Sequence, residues 1–155
     1  MNLFWSVPYK FQIEPHNQVC LTAKGELLGK LGKTEEALDI FDKSYQINPN
    51  DVVAQNAAAN LLAKSGRLEE AIEKYKDIRK QPGKNNPYTL CGLGFLLLRR
   101  DKDNQDILEA RQMFEQAQKI PGSEDLASLG LWVAHARLGD KTEALKFKKF
   151  FEENN

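Results

Sequence analysis

The sequence predicts an all-α array of about four helix-turn-helix repeats behind an extended N-terminal arm, and three observations carry that expectation. The first is a recurring segment. Thr34-Glu-Glu-Ala37-Leu-Asp-Ile-Phe41 returns as Leu68-Glu-Glu-Ala71-Ile-Glu-Lys-Tyr75, as Ile107-Leu-Glu-Ala110-Arg-Gln-Met-Phe114 and as Thr142-Glu-Ala144-Leu-Lys-Phe147. Ala37 to Ala71 is 34 residues, Ala71 to Ala110 is 39 and Ala110 to Ala144 is 34, so one unit carries an insertion while the period survives. The second is a small residue ahead of each anchor in the first three units: Gly25, Ala59 and Gly94. A small residue in one helix lets the alanine of its mate come close while bulky neighbours fill the sides. The third is punctuation. Gly32, Gly66 and Gly139 stand where left-handed helix caps are needed, and Pro49, Pro82 and Pro121 stop the second helix of units one to three.

Taken in chain order, residues 1–16 read as an arm. Trp5, Val7, Tyr9, Phe11 and Ile13 alternate with Ser6, Pro8, Lys10 and Gln12, a period of two that suits an extended segment, and Pro8 and Pro15 oppose a helix. So many apolar side chains are expected to dock, on the chain's own helices or on a second copy, which gives the arm a route to a homo-oligomer. Residues 17–155 read as the array, with repeats at about 18–51, 52–85, 87–124 and 125–155. The first two units are regular. Acidic pairs begin their second helices, Glu35-Glu36 and Glu69-Glu70, and Glu124-Asp125 follows Ser123 in the fourth, where the helix dipole favours negative charge. The third unit has about four extra residues within Asp101 to Asp106, and Asp101 replaces its turn glycine, so that turn should bulge. In the fourth, Trp132 stands where a small residue belongs and Lys148 where the aromatic belongs. Its last helix, Thr142 to about Glu152, carries Ala144, Phe147 and Phe151 on one face.

Over residues 18 to 155 the chain resembles the tetratricopeptide repeat family, whose 34-residue unit has a small residue, a turn glycine, an alanine, an aromatic and a proline at set places. Gly25, Gly32, Ala37, Phe41 and Pro49 keep that spacing in unit one; Ala59, Gly66, Ala71 and Tyr75 keep it in unit two. The resemblance implies a right-handed α-solenoid whose first helices line a concave face that holds an extended peptide or a partner helix. Carrying the family register across puts Val19, Thr22, Glu26 and Lys30, then Val53, Asn56, Asn60 and Lys64, toward that face. Units three and four supply Tyr88, Cys91, Phe95, Leu98 and Arg99, then Leu126, Leu129, Val133, Ala136 and Arg137.

The first half of this face is polar and the second apolar. Tyr88, Phe95, Leu98, Leu129 and Val133 could take an apolar anchor of a protein or peptide partner, or serve as core. Asn56 and Asn60, one helical turn apart, could bond a peptide backbone. Lys30, Lys64, Arg99 and Arg137 recur at the end of each first helix, complementing the helix dipole or holding an acidic group along one rim. The basic set with which chaperone-binding members hold a terminal carboxylate is absent, because Thr22, Glu26, Tyr88 and Gly92 occupy those places.

Lys plus Arg and Asp plus Glu both total 22, so bulk attraction to nucleic acid or anionic lipid is not expected. Hydrophobic residues make up 41% of the chain, enough for a core, yet Phe95-Leu-Leu-Leu98 falls far short of the roughly 20 residues of a membrane span. Cys20 and Cys91 lack disulfide-scaffold spacing and read as buried thiols in a reducing, cytoplasmic setting. His16 and His135 have no second ligand at metal spacing, Gly92-Leu-Gly94 is not a nucleotide loop, and no nucleophile-base-orienter set is present. The expectation is a non-enzymatic adaptor without cofactor or metal. The alternatives are a self-assembling structural protein and a recognition domain of a larger enzyme or complex.

Overall fold

A computed structural model describes residues 17–50, 52–81 and 86–154, and these form eight helices and no strand. They are α1 (Gln18–Lys30), α2 (Thr34–Ile47), α3 (Val53–Lys64), α4 (Leu68–Lys80), α5 (Pro87–Arg100), α6 (Asn104–Gln118), α7 (Glu124–Arg137) and α8 (Lys141–Asn154). The chain divides into two compact units between Ala57 and Ala58, within α3. The N-terminal arm and Pro82 lie outside the described residues.

Helix starts and stops follow local chemistry. Asn17, Asn86 and Asp103 accept backbone N–H bonds at the heads of α1, α5 and α6, and Pro87 fills the first helical position of α5, where no N–H is needed. At α2 and α4 the residue before the helix is basic and makes no such cap. Instead Lys33 and Arg67 pair forward with Glu36 and Glu70, at 3.0 and 2.6 Å. Ser123 does not cap α7 either. Its hydroxyl donates backward to the Ala117 and Ile120 carbonyls and closes the end of α6.

Gly32, Gly66 and Gly139 all have φ near +80°, and the residue after each bonds back to Leu28, Leu62 and His135. The same closing turn is thus made three times, in the backbone region that glycine enters at least cost. In the third unit Asp101 does this work at φ 44° and bonds to the Leu97 carbonyl. The expected bulge is not formed: three residues separate α5 from α6, as they separate α1 from α2, α3 from α4 and α7 from α8, and the insertion instead starts α6 six residues before Ala110, where α2 and α4 start three before their alanines. That lengthened start is clamped from inside. Asp106, 4% exposed, accepts two bonds from the Arg100 guanidinium, at 2.5 and 2.8 Å, and one from the Lys102 backbone N–H; Arg100 also reaches Glu69 at 3.0 Å. The Arg100 bonds hold the Asp106 carboxyl below its ordinary pKa.

The anchors Ala37, Ala71, Ala110 and Ala144 are buried, as close helix pairing requires. In the first unit α1 packs on α2, and a Cβ added at Gly25 would come within 2.6 Å of the Phe41 ring. Beside it the Thr22 and Ser44 hydroxyls meet at 2.9 Å, and Ser44 also bonds the Gln18 carbonyl. Within residues 58–155 α5 packs on α4, α6 and α7, and α8 packs on α7. Phe114 is fully buried with its ring against both Gly94 of α5 and Gly130 of α7, where neither glycine has room for a Cβ. The last repeat inverts the pairing of aromatic and small residue: Trp132 now comes from the first helix, and the Lys148 ammonium lies 5.7 Å from its ring centroid. His135 is buried, stacked on Phe147 and 3.3 Å from Asp140. No helix among the described residues is long and apolar enough to cross a membrane.

Candidate functional site

The candidate site lies on the first helices α3, α5 and α7 of residues 58–155. Their carboxyl ends adjoin because arginines tie them. Arg99 of α5 donates to the Ala63 carbonyl of α3 at 3.0 Å; Arg137 of α7 donates to the Leu98 carbonyl of α5 and pairs with Asp101 at 3.2 Å. Late carbonyls of a helix lack intrahelical partners and carry the negative end of its dipole, so a cation supplied by the next repeat satisfies both needs. Two of the four recurring cations are thereby engaged with the chain itself. Lys64 and Lys30 are exposed at the ends of α3 and α1.

The apolar residues divide by depth. Tyr88 is 74% exposed, and Phe95, Leu129 and Val133 are half-buried. Phe95 leans edge-on against Phe114, ring centroids 4.9 Å apart. Leu98 and Cys91 are buried, and belong to the core. Thr22, on α1, is also core because its hydroxyl is used by Ser44. Cys20 is half-buried, while burial pushes the Cys91 thiol up to about 11. Asn56 is half-buried on the residue 1–57 side of α3, whereas Asn60 is exposed and accepts a 2.8 Å hydrogen bond from the Tyr75 hydroxyl. Tyr75 is 1% exposed, and burial raises its hydroxyl to about 12.

Sequence reasoning did not find the arginine ties, the Tyr75 to Asn60 bond or the role of Gly130. A signal for Gly130 existed: Gly92 and Gly130 each stand two residues before the place where a small residue is expected, and each abuts the aromatic of the preceding repeat, Tyr75 and Phe114. No comparable signal marked the ties, since an arginine near a helix end is already explained by the dipole of its own helix. Among the described residues, no group of three or more His, Cys, Asp or Glu side chains is placed to hold a metal ion.

Stacked helical hairpins with small residues and aromatics interlocked at a 34-residue period define a helical repeat protein. Residues 28–90 match the tetratricopeptide repeat family model, and the helical hairpins have the tetratricopeptide repeat fold. It is similar in fold to a tetratricopeptide repeat protein from Parabacteroides merdae (TM-score 0.70, 20% identity over 94% of this chain and 55% of that one). MamA from Desulfovibrio magneticus gives TM-score 0.69 and 18% identity over 90% of this chain and 76% of its own. A thermophilic tetratricopeptide repeat protein from Thermus thermophilus gives 0.67 and 21% over 85% and 71%. This chain thus spans little more than half of the Parabacteroides protein. No curated protein matches its sequence.

Proposed function

We propose that the chain is a non-enzymatic binding module whose α5 and α7 faces, with the end of α3, hold an extended peptide or partner helix through an apolar anchor. One observation carries this reading. The aromatics of the second helices, Tyr75 and Phe114, are sealed in the core, while Tyr88 stays in water and Phe95, Leu129 and Val133 stay partly accessible on the first helices. Burying one large apolar side chain of a ligand against such residues contributes about 1.5–3 kcal/mol before ordering costs. Polar partners stand nearby. Asn60 and Lys64 lie at the α3 side, and the Arg99 and Arg137 guanidinium groups, although tied, stay partly exposed and can add attraction for an acidic group.

The test is peptide display on the intact chain, followed by affinities for Tyr88→Glu and Val133→Glu. Both positions have solvent access, so helicity should survive, whereas Leu98→Glu would place a charge in the core. Selected peptides should bind each variant at least about tenfold more weakly. Equal affinity for both would reject the face.

A second reading, self-assembly, is favoured by Leu145 and Phe150, which stand exposed on α8. Sedimentation at increasing concentration decides it: a monomer throughout removes it.

A further inference from the structure

Tyr75 occupies an unusual place among the interlocking aromatics. Its ring comes from α4, packs under α5 where Gly92 leaves room, and carries its hydroxyl to Asn60 on α3. A Cβ at residue 92 would lie 2.6 Å from that hydroxyl. The hydroxyl therefore sits at the seam between two first helices, and it is buried, so its proton needs an acceptor there. Among the described residues the Asn60 carbonyl is the acceptor that the structure gives it. Turning the Asn60 carboxamide over would face an N–H2 group toward the phenol oxygen and leave the phenol proton buried without a partner, at the cost of desolvating it. One repeat later the same two places hold Phe95 and Phe114, an edge-on aromatic pair with no hydroxyl and no amide. The polar pair and the apolar pair are alternative solutions to one contact, so the hydroxyl of Tyr75 and the amide of Asn60 belong together.

We infer that Tyr75 is a positioning residue: its hydroxyl holds the Asn60 carboxamide with the carbonyl turned inward, so that the exposed end of the side chain offers only N–H donors to a partner. This rests on the partner-binding reading above and sharpens it. Asparagine left free to rotate would accept or donate; held in this way it selects an sp2 acceptor oxygen, either a peptide carbonyl or a carboxylate. A partner segment that presents an N–H at this point gains nothing from Asn60.

The probe is a display-selected peptide, synthesised with a free carboxyl terminus and with a terminal amide, titrated calorimetrically against the intact chain and its variants. Tyr75→Phe keeps the ring under Gly92 and removes only the hydroxyl. It should weaken binding about 3–10-fold, the range of one neutral hydrogen bond, and Asn60→Ala should weaken it similarly. The double variant should bind no worse than Asn60→Ala alone, because Tyr75 acts only through Asn60. Equal affinity of the two peptide forms identifies a backbone carbonyl as the acceptor; loss confined to the amidated form identifies a carboxylate.

An equal further loss from Tyr75→Phe in the Asn60→Ala background would show general loosening and overturn the inference. So would undiminished affinity of both single variants for a peptide that Tyr88→Glu releases, an outcome that leaves the binding face standing. Failure to select any peptide, or selection of peptides indifferent to Tyr88, Val133 and Asn60 alike, would remove both. If Tyr75→Phe does not fold, Asn60→Asp serves instead. It keeps an acceptor for Tyr75 and offers an oxygen outward, so affinity should drop by at least about tenfold; retained affinity would overturn the inference.

Discussion

Gly130 has no space for even one methyl group. Its neighbour is the Phe114 ring, which is fully buried and already meets Gly94 on the other helix. A buried aromatic held on two sides cannot swing away as a surface lysine would, so the strain must pass into the backbones of α6 and α7. Gly130→Ala should destabilise the chain by about 1–3 kcal/mol in denaturant unfolding, and Gly130→Ala with Phe114→Leu should recover part of that loss. A neutral Gly130→Ala would mean that α7 can shift freely against α6. The same logic separates Gly32, Gly66 and Gly139, which meet no neighbour and are needed for their positive φ. One residue type therefore serves two physical roles, and the period of the sequence alone does not distinguish them.

At the scale of elements, the lengthened start of α6 shows how an insertion is absorbed. The extra residues could have formed a loose loop, but the Arg100 guanidinium and the Lys102 N–H converge on the buried Asp106 carboxylate and give the segment an interior. Replacing Asp106 by Asn should cost about 1–2 kcal/mol at neutral pH, since the bonds it loses are charge-assisted. The pH dependence follows from the lowered pKa of Asp106 in the folded chain. In the unfolded chain Asp ionises near 3.9, so the stabilisation is complete above that pH and fades as pH falls through the lower folded value. The gap between wild type and Asp106→Asn should accordingly hold from about pH 7 to 5 and shrink below about pH 4. Urea melts at these pH values check it, and a gap that persists at low pH would assign the effect to packing. The insertion was legible from the 39-residue spacing, but the bulge expected from it was not borne out, because the extra residues continue the hydrogen-bonded turn of α6 rather than widening the three-residue connection. Which inserted carboxylate turned inward was not legible, because Asp101, Asp103 and Asp106 look alike in sequence, and only the approach of Arg100 selects Asp106.

For the whole molecule, stability should grade along the chain as expected for a repeat array, in which each unit is held by its neighbours. Helix α5 packs on three others, whereas α8 rests on α7 and leaves Leu145 and Phe150 exposed. Native-state hydrogen exchange should therefore show the slowest amides in α5 and α6 and early opening of α8. Uniform protection across α5 to α8 would contradict a graded array.

What the sequence determined by itself was the repeat. Alanine anchors, small residues, turn glycines and acidic helix starts are local signals, and each acts through contacts within one hairpin or one turn, so periodicity exposes them. That is why eight helices and the Gly32, Gly66 and Gly139 caps could be read without coordinates. Tertiary structure alone decided which lining residues remain available. Leu98 and Phe95 are both apolar residues of α5, yet Leu98 is buried and Phe95 is half-exposed. Arg99 and Arg137 match Lys64 in register, yet reach backbone carbonyls of the preceding repeat. Tyr75 and Asn60 meet across the seam beside Gly92. Each of these outcomes depends on how far apart two helices sit and how they are rotated, and those quantities are fixed by the packing of whole side chains rather than by any residue's own preference.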